Sequence, residues 1–238
     1  MFGYYGLYSP TMWILIPAIV FTIIAQARVN STFKKYSSVK SYRRLTGAEA
    51  ARIMLDANGL RDVKIVQVRG NLTDHYDPSH KVIRLSQTVY GVDSIAAVSV
   101  ACHEVGHAVQ HAHGYVPLQF RNSIVPLVNF AANLSWPLAF IGLMLLMNGS
   151  YMGDMLFNIG VVAMAAVIIF HLVTLPVEFN ASSRALKNME NLGIISIESD
   201  EDCKAKSVLR AAAMTYVASL AMAVANLIRM LAMRGNRE

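Results

Sequence analysis

Residues 101–114 read ACHEVGHAVQHAHG and hold four of the chain's seven histidines. Within them, His103-Glu104-Val105-Gly106-His107 has the spacing HExxH. On an α-helix, residues i and i+4 are about 40° apart in rotation and about 6 Å apart in rise, so two imidazoles so spaced can converge on one ion. That arrangement suits Zn2+. Glu104, rotated about 100° from His103, can reach the open coordination position and take a proton from a water there. The chemistry is metal-assisted hydrolysis with Glu104 as general base. The plainer reading of such a pattern is a helix with two surface histidines. Against it, the lead-in SIAAVSVAC (94–102) is apolar, as a buried active-site helix should be.

A catalytic zinc takes three protein ligands and keeps one position open. His111 is i+4 from His107 but about 12 Å along the axis from His103, too far to share an ion. His113 falls where HExxHxxGxxH places its last ligand. That pattern needs a helix-breaking glycine at residue 110, which here is Gln. On a helix running to Gly114, His113 is turned about 240° from His107. Both histidines read as helix-end residues favoured by the helix dipole. The other source is a glutamate on a separate helix. Glu178 is the first acid after the third apolar stretch, just beyond Pro176. It reads equally as a first-turn carboxylate that stabilises its own helix.

The elements that must position these residues are mostly apolar. Of 238 residues, 55% are hydrophobic and 15% charged, with mean hydropathy +0.41. A soluble domain carries about 25% charged residues. The expected fold class is therefore a mostly α integral membrane protein. It has three or four transmembrane helices, a small β-sheet or hairpin, and a zincin-like catalytic part of the gluzincin kind. The first apolar segment covers 8–27, flanked by Tyr4, Tyr5, Tyr8 and Trp13, which suit a membrane interface. Ala25-Gln26-Ala27 resembles a signal-peptidase site, but no Lys or Arg precedes the apolar run, so an uncleaved anchor is expected. Arg28, Lys34, Lys35, Lys40, Arg43 and Arg44 follow, which places residue 28 onward in the cytoplasm.

In the polar part, Thr46 and Glu49 fit a capping box with Gly59 as the C-cap. Residues 63–68 alternate as a strand, and 72–76 with 81–86 read as a hairpin about Asp77-Pro78-Ser79. Asp93 is read as the cap of the motif helix. Residues 124–147 and 155–175 are long enough to span, and the loop between them carries no Lys or Arg. A polar helix is expected over 178–193. A charged helical start at 201–213 runs into the apolar 214–233, either a fourth span or a buried or interfacial helix. A fourth span would put the basic Arg234 and Arg237 outside. The organisation is thus an anchor (1–27), a cytoplasmic catalytic part (28–123), a membrane hairpin (124–175), a segment completing the catalytic part (176–213) and a C-terminal apolar helix (214–238). Cys102 and Cys203 are isolated and form no disulfide framework. The net charge of +6 lies beside apolar segments, where lipid and topology account for it, so no nucleic-acid partner is expected.

The residues HEVGHAVQHAHGY (103–115), PVEFNASSRAL downstream and LTDHYDPSHKVIRLS upstream resemble the YugP-type neutral membrane zinc metallopeptidases. The family is similar in layout to the heat-shock protease HtpX and the CAAX prenyl protease, whose third ligand is a glutamate on a helix after a membrane hairpin. The resemblance implies Zn2+ held by His103, His107 and Glu178, Glu104 as catalytic base, and peptide-bond hydrolysis. In those relatives an aspartate four residues after the glutamate orients a ligand histidine. Here that position is Ser182, and Asn180 or Ser182 is the candidate replacement.

Candidates for stabilising the oxyanion are Arg184, Arg210, His75 and Tyr216. The expected partners are a polypeptide substrate, membrane proteins among them, and the lipid bilayer. An oligomer or a regulatory membrane partner stays open. An intramembrane-cleaving protease would need HExxH inside a span, and a lead-in of about nine residues is too short for one. The remaining alternative is a non-catalytic, zinc-stabilised membrane scaffold or partner-binding protein, which would not need Glu104.

Overall fold

The structure, a computed structural model, describes residues 10–196 and 200–235, so Tyr4, Tyr5, Tyr8 and Arg237 lie outside the described residues. A 3-10 turn (Pro10–Ile14) leads into α1 (Ile16–Ser37) and α2 (Gly47–Ala57). Strands β1 (Lys64–Val68), β2 (His75–Asp77) and β3 (Val82–Ser86) follow, then α3 (Gln87–Tyr90) and α4 (Ile95–Ala112). Three long helices complete the chain: α5 (Val116–Leu146), α6 (Tyr151–Asn191) and α7 (Glu201–Gly235). The chain is mostly helical, and among the described residues four helices are long and apolar enough to cross a membrane: Thr11–Ser37, α5, α6 and α7.

The chain divides into two units. One holds Gln26–Gln119 and Pro176–Met214, and it contains the HExxH helix. Its core is built from Met54 and Leu55 of α2, Ile83 and Leu85 of β3, Val98 and Val105 of α4, and Met189 of α6, all fully buried. The alternation of Val82–Ser86 turns Ile83 and Leu85 inward, which is why β3 is the middle strand in the order β1-β3-β2. The strands β2 and β3 form the antiparallel hairpin, and β1 pairs parallel to β3. Asp77 closes the hairpin turn by accepting from the amides of Ser79 and His80 and pairing with Arg84 at 2.6 Å. The Arg84 bond, with His80, holds its carboxyl well below the usual range.

Thr46 and Glu49 form the full capping box on α2, with bonds of 3.3 and 2.8 Å. The cap of α4 is Ser94 rather than Asp93: its hydroxyl accepts from the Ala97 amide at 3.2 Å. Asp93 is instead taken up by Lys40 and Arg44, which tie the preceding linker to the start of α4. A second difference concerns α6. The apolar stretch to 175 and the polar stretch from 178 form one helix, with Pro176 inside it. A proline removes one helical hydrogen bond, a loss that long membrane helices tolerate where neighbouring groups take up the freed carbonyl. Likewise α5 begins at Val116, earlier than its apolar run, with Pro117 in the first turn where its missing N–H costs nothing.

The other unit comprises the described residues of Met1–Ala25, Phe120–Leu175 and Thr215–Glu238. Within it α5 and α6 approach closely on small residues. A Cβ on Gly160 would stand 2.5 Å from the Ala139 nitrogen, and one on Gly142 would collide with the Phe157 backbone. Small residues let membrane helices gain dispersion contact, the main attraction available in lipid. Met230 of α7 is buried with Ala139, Leu143, Phe157 and Met164, so the methionine-rich end of the chain serves packing. Arg234 lies 2.8 Å from the Asp154 carboxylate, donates to Asn158 at 2.9 Å and faces the Phe157 ring. The lone basic residue at the end of α7 is therefore neutralised by the acid at the start of α6.

Gly160→Leu is predicted to force α5 from α6 and to lower the thermal midpoint of the detergent-solubilised protein, at a cost of about 1–3 kcal/mol. Gly91→Ala, where an added Cβ meets nothing within 4 Å, should leave the midpoint unchanged. Equal midpoints for the two variants would contradict the close packing.

Candidate metal centre

The helix α4 presents His103 and His107 one turn apart, with ring centroids 4.8 Å from each other and planes nearly perpendicular. The polar part of α6 brings Glu178 to the same place. His103 Nε2 lies 3.3 Å, and His107 Nε2 3.5 Å, from one oxygen of that carboxylate. Among the described residues this is the one group of three potential ligands, with donor atoms all within 4.8 Å of one another. Both imidazoles are largely covered, and Glu178 is 2% exposed.

The two Nε2–carboxylate separations fit a metal. Donors bound tetrahedrally to zinc at about 2.0–2.1 Å stand about 3.3–3.4 Å from one another, and the donor set of two imidazoles and a carboxylate is one zinc accepts. A buried carboxylate needs charged or hydrogen-bonding partners to offset its desolvation. Here two imidazoles supply them. Burial opposes a charge on His107, but its bond to Glu178 and the negative fields of Glu178 and Glu104 outweigh this and raise its pKa.

Each histidine is also held from behind. Ser182 Oγ lies 3.2 Å from His103 Nδ1. His107 Nδ1 lies 3.0 Å from Gln110 Oε1. Gln110, fully buried, donates to the Val177 carbonyl at 2.8 Å and to Asn180 Oδ1 at 3.0 Å. Asn180 accepts in turn from Arg184 Nε at 2.7 Å, and the Arg184 guanidinium lies over the Tyr115 ring. Both Nδ1 atoms are thus occupied, and both Nε2 atoms face Glu178.

Glu104 is 8% exposed and makes no hydrogen bond among the described residues. It stands outside the three-donor cluster, close enough for its charge to act on His107. Cys102 precedes His103 in sequence, but burial pushes its thiol up to about 12, so it is a packing residue rather than a thiolate donor.

The remaining candidates are elsewhere. His111 bonds the Tyr76 hydroxyl of β2 at 2.9 Å, and His113, in the C-cap of α4, folds back on the Val109 carbonyl at 2.8 Å. His75 is exposed and bonds the Thr73 carbonyl at 2.8 Å. Arg210 lies on the rim of a cleft of about 350 Å³ between α6 and α7. Tyr216 belongs to the other unit. Arg184 joins the hydrogen-bonded string that ends on His107.

Sequence reasoning missed Gly106 and used Gln110 only to set His113 aside. Gly106 is the point where α4 meets α6: a Cβ there would stand 2.5 Å from the Ala181 carbonyl oxygen. The signal was a glycine inside a helix, where it costs about 1 kcal/mol against alanine. For Gln110 the signal was a polar residue one turn past His107 in an apolar run.

The model of a family described as "Putative neutral zinc metallopeptidase" matches residues 11–235. Over 218 residues, 92% of this chain and 93% of the relative, the chain is 46% identical to a protein of Bacillus subtilis (strain 168) described as "Putative membrane protease YugP". No solved structure matches it significantly.

Gly106→Ala is predicted to wedge α4 from α6 and to weaken zinc binding at least about fivefold, the lower end of an overpacking cost of about 1–3 kcal/mol. Chelator competition on the purified chain measures this. An unchanged affinity would contradict the role of the close approach.

Proposed function

The chain belongs to the zinc-peptidase family whose model it matches, and on that premise we propose that it is a membrane-embedded zinc metalloendopeptidase. In this reading His103, His107 and Glu178 hold the ion and Glu104 is the general base. The observation that carries it is the convergence of three donors from two helices within 4.8 Å, with the uncommitted Glu104 beside them.

Zinc held there would supply a Lewis acid that polarises a carbonyl and acidifies water near neutral pH. The chain's residues do the rest. Glu104 accepts the proton of the attacking water and delivers it to the leaving amine. Ser182 and Gln110 orient the two imidazoles from behind. The edge strand β2 offers an unpaired side to an extended peptide, and the Tyr76–His111 bond holds β2 against α4. The substrate class is polypeptide, with damaged membrane proteins or their loops and tails as the candidates and membrane-protein quality control as the role.

The reading places the site in the cytoplasm. Six basic residues follow the first apolar segment (8–27), three of them in the last part of α1, and the loop joining α5 to α6 has none. Four spans then put the end of α7 outside with the start of α6, and the Asp154–Arg234 pair supports this by joining those two helix ends and cancelling the stray positive charge.

Two measurements test this. The wild type should cleave an unfolded protein in a zinc-dependent way, and Glu104→Gln should keep its zinc while losing at least about 100-fold in rate. If both bind zinc and neither cleaves, the scaffold reading replaces this one. For sidedness, Cys203 is exposed and Cys102 buried. A membrane-impermeant maleimide should label Cys203 only after the cells are permeabilised, and labelling in intact cells would contradict a cytoplasmic site.

A further inference from the structure

We propose that Gln110 is the positioning residue that makes His107 a metal ligand, by fixing which ring nitrogen carries the proton and by tying that ring to the helix bearing Glu178. This rests on the zinc reading above. The argument is one of hydrogen-bond polarity. The Val177 oxygen is a backbone carbonyl and can only accept, so the Gln110 atom 2.8 Å from it is the amide nitrogen. The second partner agrees. Arg184 Nε can only donate, so the Asn180 atom 2.7 Å from it is the oxygen, and the Gln110 atom facing that same oxygen at 3.0 Å is again the nitrogen. Two independent partners therefore set the amide one way round.

The other end of the amide, Oε1, then faces His107 Nδ1 at 3.0 Å and can only accept. His107 must carry a proton on Nδ1 to satisfy it. That leaves Nε2 to present its lone pair toward Glu178 and a shared ion. The chain of consequence runs from Arg184 through Asn180 and Gln110 to His107, and at its centre Gln110 is fully buried, where an unmade bond costs about 1–3 kcal/mol. Because Val177 is the residue before Glu178, the same amide also sets the distance between the two ligands. His103 has no such lock: its partner is the Ser182 hydroxyl, which can donate or accept.

Gln110→Met fills a similar volume without an acceptor. In the full-length, detergent-purified chain it should weaken zinc binding by about 10–100-fold. Nuclear magnetic resonance of ring-labelled histidine supplies the second readout. In the zinc-loaded wild type the Nδ1 proton of His107 should be hydrogen-bonded and slow to exchange. In Gln110→Met that protection should vanish while the His103 signal stays. Asn180→Leu removes one of the two anchors and serves if the first variant does not fold; it should give a smaller loss of affinity and the same selective change at His107.

Unchanged affinity with a protected His107 proton would overturn the proposal. So would equal loss at both histidines, which would mark a general packing role. A wild-type chain that takes up no zinc would overturn the metal reading and this proposal with it, and is told apart from the other outcomes because it needs no variant.

Discussion

A metal held by two imidazoles one turn apart on a helix needs a further donor from another part of the chain, and in the proposed centre that donor is Glu178 on α6. The constraint is one of distance between backbones. The Glu178 side chain reaches the Nε2 atoms of His103 and His107 across α4 and α6, which pack closely. Gly106 permits that, since a Cβ there would press on the Ala181 carbonyl. The glycine in the middle of the motif is therefore a structural requirement of the ligand set rather than a spacer. The buried apolar face of α4 supplies the driving force, with Val98, Ala101, Val105 and Ala108 removed from water.

That packing brings polar groups into a dry region, and their satisfaction shapes everything nearby. A carboxylate that is 2% exposed would be costly alone. It is offset by two imidazoles, which in turn need partners on their far nitrogens. Ser182 meets one need, and Gln110 meets the other while drawing on Val177, Asn180 and Arg184. The only buried acid of the centre left without such a partner is Glu104. A general base must have its oxygens free, so the residue that local bonding leaves unsatisfied is the one the proposed chemistry needs.

Much of this was legible from the chain, because the motif is local. The spacing of His103 and His107, and the capping box at Thr46 and Glu49, are set within a turn of helix. The four apolar segments are set by length. Glu178 was legible as a candidate because it is the first acid after an apolar stretch. What was not legible depends on contacts distant in sequence. The helix cap moved from Asp93 to Ser94 because Lys40 and Arg44 claim the aspartate. The α6 helix runs through Pro176, whose usual reading as a boundary fails in a long membrane helix. The pairing of β1 alongside β3 is non-local. The role of Gln110 hangs on a backbone carbonyl at residue 177, which no pattern of side chains reveals.

The most direct test of the metal centre is zinc K-edge X-ray absorption on the purified full-length chain, with metal content measured on the same sample. One zinc per chain is predicted, with two imidazoles and oxygen donors in the first shell at about 2.0–2.2 Å and no sulfur. Glu178→Ala should lose affinity or one oxygen donor. A sulfur shell at about 2.3 Å, or an unaltered spectrum and affinity in Glu178→Ala, would contradict the account.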